Sequence, residues 1–144
     1  MLYQFLMLLS RMIRLLPHRA LLFLGWVLGR LYYCLIKKQR NLALRQIMAG
    51  LGVSETEARK LVKDSFVNLA RNMLEILYMP NLNEKNMHEY IEIEHMDYMK
   101  AALAEGHGVV VLTGHIGTWE WLSAAFTLSG LPVTAIAKPQ PNAQ

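Results

Sequence analysis

His115 and Glu120 stand five residues apart in the segment Gly114-His115-Ile116-Gly117-Thr118-Trp119-Glu120. An imidazole held by a carboxylate can take a proton from a hydroxyl. The carboxylate fixes the ring tautomer and stabilises the imidazolium that forms. No enzyme nucleophile is needed for such chemistry. The spacing sets a condition on the backbone. On one continuous helix the two side chains would point about 140° apart. The pair therefore needs His115 on a loop and Glu120 in the first turn of the next helix, where the helix N-terminus favours a charged carboxylate. Gly114 and Gly117 permit a sharp turn and leave room for a substrate atom or a backbone amide. Thr118 is the expected N-cap. Spacing alone favours a capping or surface pair. The context of strand, Gly-His-x-Gly turn and capped helix favours the catalytic reading.

The elements around this turn are legible from periodicity. Gly108-Val109-Val110-Val111-Leu112-Thr113 is a β-branched run and reads as a buried strand, with His115 just past its C-terminal end. Thr118 to Ser129 reads as a helix with Gly130 beyond it. Val133 to Ala137 reads as another strand. Upstream, Tyr90 to Glu94 alternates like a short strand, and Asp97 to Glu105 reads as a helix closed by Gly106. This order predicts an α/β fold with parallel strands.

Further upstream, Ser54 and Glu57 form a capping box. They open a helix whose apolar stripe runs through Ala58, Leu61, Val62, Phe66, Leu69, Ala70, Met73, Leu74 and Leu77. It is expected to stop at Met79, because Pro80 cannot continue it. Arg40 to Ala49 reads as a short amphipathic helix ended by Gly50. Asn81 to Glu89 is a polar connection with a helical turn after Asn83.

The N-terminal region has a different character. Leu2 to Leu16 is apolar apart from Arg11 and Arg14, among a few polar residues, and Pro17-His18-Arg19 interrupts it. Ala20 to Ile36 follows with Arg30 as its one charge. As a helix this second stretch reaches about 26 Å, slightly short of a bilayer core of about 30 Å. Residues 1–54 carry eight Lys/Arg and no Asp or Glu, whereas residues 55–144 carry seven Lys/Arg against eleven Asp/Glu. The basic residues sit among Leu, Phe and Trp, which points to an anionic membrane surface rather than nucleic acid. The helices either lie in or dip into the membrane from the cytoplasmic face, or cross it once. No charged n-region or cleavage site makes this a signal peptide.

The remaining candidates carry less chemistry. Cys34 is the one cysteine, so no intramolecular disulfide forms, and it reads as a small buried hydrophobe. His18, His88 and His95 are scattered, and His107 follows Gly106 in a turn. No HExxH motif or third ligand accompanies His115 and Glu120, so no metal is expected. No phosphate-cradling loop occurs, and no cofactor is expected. Lys138 either meets a phosphate or is a solvated lysine.

The block from Val109 to Glu120 resembles the first signature block of the lipid A biosynthesis acyltransferases, the lauroyl/myristoyl branch of the lysophospholipid-acyltransferase-like group. That group usually carries His-x4-Asp. The lipid A branch has His-x4-Glu with Trp before the acid, as in Trp119-Glu120. The resemblance extends over the apolar basic N-terminus, Arg40-Asn41-Leu42-Ala43-Leu44, Ser65-Phe66-Val67-Asn68-Leu69, and Lys138-Pro139 followed by Asn142. It implies His115 as base and Glu120 as its partner, with Gly114, Gly117, Thr118 and Lys138 toward substrate. It implies acyl carrier protein as acyl donor, a lipid A precursor as acceptor, and a place on the cytoplasmic face of the inner membrane. A lysophospholipid or glycolipid is the alternative acceptor, and a non-catalytic membrane-bound fragment is the reading from another class. Family members are about twice as long. The expected architecture is therefore membrane-associated helices over residues 1–38, then the first half of a glycerolipid-acyltransferase-like α/β domain over residues 39–144.

Overall fold

The computed structural model describes residues 2–136, and among them it holds six α-helices and no strand. α1 (Leu2–Ile13) and α2 (His18–Leu35) are separated at Pro17, which has no N–H to offer a continuing helix. α3 (Lys37–Leu51) follows α2 at a bend of 92° around Ile36. It runs past Gly50 and ends at Gly52, whose φ of +64° is the left-handed geometry of a helix C-cap. α4 (Glu55–Tyr78) begins at the expected capping box. Ser54 Oγ accepts from the Glu57 amide at 3.3 Å, and Glu57 Oε2 accepts from the Ser54 amide at 3.1 Å. The Ser54 hydroxyl also donates to Glu57 Oε2 at 2.8 Å. These bonds, the side-chain one foremost, hold the Glu57 carboxyl below its ordinary value of 4.5. Past Tyr78 the chain tightens into a 3-10 turn at Met79–Asn81 that contains Pro80. α5 (Met96–Ala104) and α6 (Glu120–Leu128) complete the set.

The helices belong to two compact units. One holds residues 2–81 with Gly114–Trp119, and the other holds 82–113 with 120–136. In the first unit, α2 lies closely on α4. A Cβ added at Gly29 would stand 2.5 Å from Val67 Cα, and one at Gly25 would stand 2.9 Å from Arg71 Cα. Gly25 and Gly29 are one helical turn apart, so they form a groove that admits the α4 backbone. Leu21 and Val62 are fully buried in this unit. Leu44, Ala58, Val62 and Phe66 form a core beneath α3, with Tyr33 and Ile47 packed against it. α1 is fastened to the end of α4 by polar bonds. Ser10 donates to Leu77 O at 2.7 Å, and Arg14 and Asn81 exchange two bonds at 2.7 and 2.9 Å. In the second unit Leu82, Trp121 and Ala125 are buried, and Tyr90 meets the Trp121 ring edge-on.

The α/β expectation fails here. The amides of Tyr90 and Ile91 both donate to Met87 O, at 3.0 and 2.9 Å, so a local turn takes the donors that a strand would have used. Residues 109–113 take no regular structure and join no ladder, and Val110 and Leu112 are 88% and 93% exposed. Residues 133–136 are likewise irregular and exposed, and Ala137 lies outside the described residues. A β-branched run favours extended backbone, but a strand exists only with a neighbour to pair with. The buried strand expected before His115 is therefore an exposed, irregular segment.

Among the described residues no single helix is long and apolar enough to cross a membrane; α2 and α3 together reach that length and composition, but as a pair bent by 92°. Both N-terminal helices nevertheless present large apolar side chains outward. Phe5, Leu8 and Met12 on α1, Leu15 after it, and Phe23, Leu31 and Leu35 on α2 are all exposed.

Candidate active site

Two glycines bracket the exposed imidazole. Gly114 O accepts from the Ile116 amide at 2.9 Å, which curls the backbone at His115. Gly117 then takes φ +60°, a conformation that side-chain-bearing residues rarely adopt. His115 is exposed, and its ring centroid lies 4.6 Å from that of Trp119 at an angle of 56°. The imidazole is thus propped on one side by an aromatic face.

Glu120 is the first residue of α6 and is half-buried. Its Oε2 is buried with no hydrogen-bond partner among the described residues. A carboxylate oxygen in that condition carries a desolvation cost of about 1–3 kcal/mol or more. His115 belongs to the first compact unit and Glu120 to the second. Lys138 lies outside the described residues.

Thr118 does not cap α6, which begins two residues later. Its hydroxyl donates instead to Glu75 Oε2 on α4, with Asn72 Oδ1 3.2 Å away as the second acceptor. One hydrogen serves one strong bond, and the carboxylate is the better acceptor. Asn72 Nδ2 donates to Gly117 O at 2.8 Å. That bond fixes the amide orientation and leaves Oδ1 toward Thr118. On its far side Glu75 Oε1 lies 3.0 Å from His18 Nε2, at the start of α2. A carboxylate only accepts, so His18 donates through Nε2. The ring of His18 also packs against Tyr78 at 5.6 Å. Glu75 and His18 are largely buried, with side chains 15% and 21% exposed.

His18, Asn72 and Glu75 did not stand out in the sequence. His18 reads as one of several scattered histidines. Asn72 and Glu75 share a helix face because they are three residues apart, but nothing in their spacing points to Gly117 or Thr118 more than forty positions on. Among the described residues, no three His, Cys, Asp or Glu side chains gather where they could hold a metal ion.

Residues 2–144 match the family model for bacterial lipid A biosynthesis acyltransferase. The chain belongs to this family. No curated protein and no solved structure matches it. The family makes the chain an acyltransferase of lipid A, and hence lipopolysaccharide, biosynthesis, with an acyl donor and a lipid A acceptor. As a family member it carries the turn with His115 outside any helix and the acid at a helix start.

Proposed function

We propose that the protein transfers a fatty acyl chain from an acyl-carrier-protein thioester to a hydroxyl of a lipid A precursor, with His115 as general base and Glu120 as its partner. The observation that carries this reading is the buried, unpartnered Oε2 of Glu120, five residues after an exposed imidazole on a glycine turn. A buried acceptor of this kind suits a donor N–H, and an imidazole that has taken a proton supplies one.

The reaction balances without a covalent enzyme intermediate. His115 takes the hydroxyl proton as the acceptor oxygen attacks the thioester carbonyl carbon. The C–O bond forms, and the carbonyl oxygen gains negative charge. Collapse breaks the C–S bond, and the departing thiolate takes the proton back from the imidazolium. The products are an ester and the free carrier thiol. Glu120 stabilises the imidazolium throughout. Backbone N–H groups of the Gly114–Thr118 turn serve the oxyanion, apart from the Ile116 amide, which is committed to Gly114 O. Gly117 and Thr118 shape the substrate side of the turn, and Lys138 receives an anionic group of the acceptor.

The place of action in this reading is the cytoplasmic face of the inner membrane. The outward apolar side chains of α1 and α2 and the eight basic residues of positions 1–54 support attachment to anionic lipid. Acyl transfer to a lipid A precursor by the intact protein is the deciding assay. Wild-type rates from the His115→Ala variant would remove the proposed base.

A further inference from the structure

The Gly-His-x-Gly turn is fastened to the scaffold at one end, and the fastening comes from α4. Two hydrogen bonds tie Gly117 and Thr118, immediately after the curl that carries His115, to Asn72 and Glu75, and Asn72 Oδ1 stands 3.2 Å from the Thr118 hydroxyl as a second acceptor. The turn's own side chains give little purchase, since Ile116 is 85% exposed and Gly114 and Gly117 have none. A left-handed Gly117 with open space where a side chain would stand is held by its backbone neighbours and by the Asn72 bond to its carbonyl.

We infer that Asn72 and Glu75 are positioning residues for the acyl transfer: they clamp the His115 turn to α4, and His18 holds Glu75 in the clamping geometry. This inference rests on His115 being the base. The chemistry of each member fits its role. Asn72 uses its amide as donor to the Gly117 carbonyl and as acceptor toward Thr118, so it bridges two successive residues of the turn. Glu75 takes the Thr118 hydroxyl on one oxygen and the His18 Nε2–H on the other. A carboxylate held from both ends has one orientation, whereas one held from a single end swings on its side-chain torsions. His18 is itself fixed by the start of α2 and by the Tyr78 ring. The chain of contacts thus runs from the N-terminal helices, through α4, to the residue before Trp119.

The test compares Thr118→Val with Thr118→Ser in the intact protein. Substrates are a lauroyl thioester of acyl carrier protein and a lipid A precursor. Amide hydrogen exchange over residues 114–119 is read on the same samples. Thr118→Val keeps the branched shape and removes the hydroxyl. The expected result is a fall in kcat of about 10- to 100-fold, the scale of a misplaced catalytic group, with KM unchanged. Exchange over 114–119 quickens, and Thr118→Ser restores both kcat and protection. Wild-type kcat in Thr118→Val overturns the inference, and so does a Thr118→Ser variant that falls equally far. Should Thr118→Val melt early, Asn72→Ala is read the same way, and unchanged kcat there overturns the clamp. His115→Ala separates this inference from the reading beneath it. An inactive His115→Ala beside fully active clamp variants removes the clamp alone. An active His115→Ala removes the base, and with it the role assigned to the clamp.

Discussion

Gly29 of α2 faces Val67 of α4 so closely that a single added methyl would stand 2.5 Å from the Val67 Cα and 2.7 Å from the Phe66 carbonyl oxygen. Backbone cannot yield as a flexible side chain can, so the two helices would have to part. Parting them would disturb α4, the helix that carries Asn72 and Glu75.

Gly29→Ala is therefore expected to destabilise the protein by about 1–3 kcal/mol, or more if the helices separate fully. Gly50→Ala is the counterpart. Gly50 lies in α3 with open space around it, so alanine there should stabilise by about 0.4–1 kcal/mol through helix propensity and a less flexible unfolded chain. Thermal or denaturant unfolding of the two variants should move in opposite directions. Equal shifts would contradict the close α2–α4 approach.

Ser54→Ala should cost about 1 kcal/mol, because it leaves the Glu57 amide without its capping acceptor. The box also has a pH signature. The Glu57 carboxyl is held below its ordinary value of 4.5 in the folded protein, by the Ser54 side chain first and the Ser54 backbone second. A carboxyl lowered on folding contributes stability above the unfolded pKa, and that contribution fades as pH falls through the folded pKa. The stability gap between wild type and Glu57→Gln should stay constant above about pH 4.5 and close below it. Unfolding curves across the acid range measure this, and a gap that widens in acid would reverse the assignment.

Glu120→Gln keeps the shape of the acid and removes its charge. If Glu120 stabilises the imidazolium, kcat should fall while donor and acceptor KM stay near wild type. Removal of the proposed base by His115→Ala should cost about 10²- to 10⁴-fold. Steady-state kinetics on both variants and their double mutant would show whether the two act as one unit. Fully additive losses would argue for separate roles.

The outward face of α2 offers a direct membrane test. Phe23 stacks on Trp26, and the Arg30 guanidinium lies 4.5 Å over the same ring. Such an apolar surface with a cation beside it suits a lipid headgroup boundary. The protein is expected to float with vesicles that contain anionic lipid and to bind them less well at high salt. Phe23→Ser should weaken flotation while leaving the α2–α4 contact in place, because Phe23 is 65% exposed and lies about 160° around α2 from Gly25. Undiminished binding of that variant would discount this face as the attachment.

Helices and their ends were written plainly in the sequence. The Ser54–Glu57 pair, Pro17 and Pro80 act within one or two turns of chain, so their effect can be read locally. The strands were misjudged for the complementary reason. Val109 to Leu112 favour extended backbone by themselves, but pairing depends on a neighbour that local pattern does not supply. At Tyr90 and Ile91, Met87 O claimed both amides, and alternating side chains gave no sign of that.

The turn around His115 was found because glycine, histidine and acid lie within seven residues of one another. Its support was missed because Thr118 was assigned the nearest plausible task, the cap of α6. Its hydroxyl donates instead to a carboxylate on another helix, more than forty positions away in the chain. The α2–α4 groove was missed in the same way. Gly25 and Gly29 sit in an apolar run whose overall character drew attention to lipid, and the approach they permit depends on a partner helix thirty or more positions away.

The exposed, unpaired segment at 109–113 has a practical consequence for handling the protein. An exposed run of valine and leucine with no strand partner is a segment on which other chains can assemble. Preparations should therefore tend toward concentration-dependent clumping that begins at this segment, independently of the stability of the helices. A lysine at Val110 or Leu112, both turned outward, would act as a gatekeeper and extend shelf life without touching the α4 clamp.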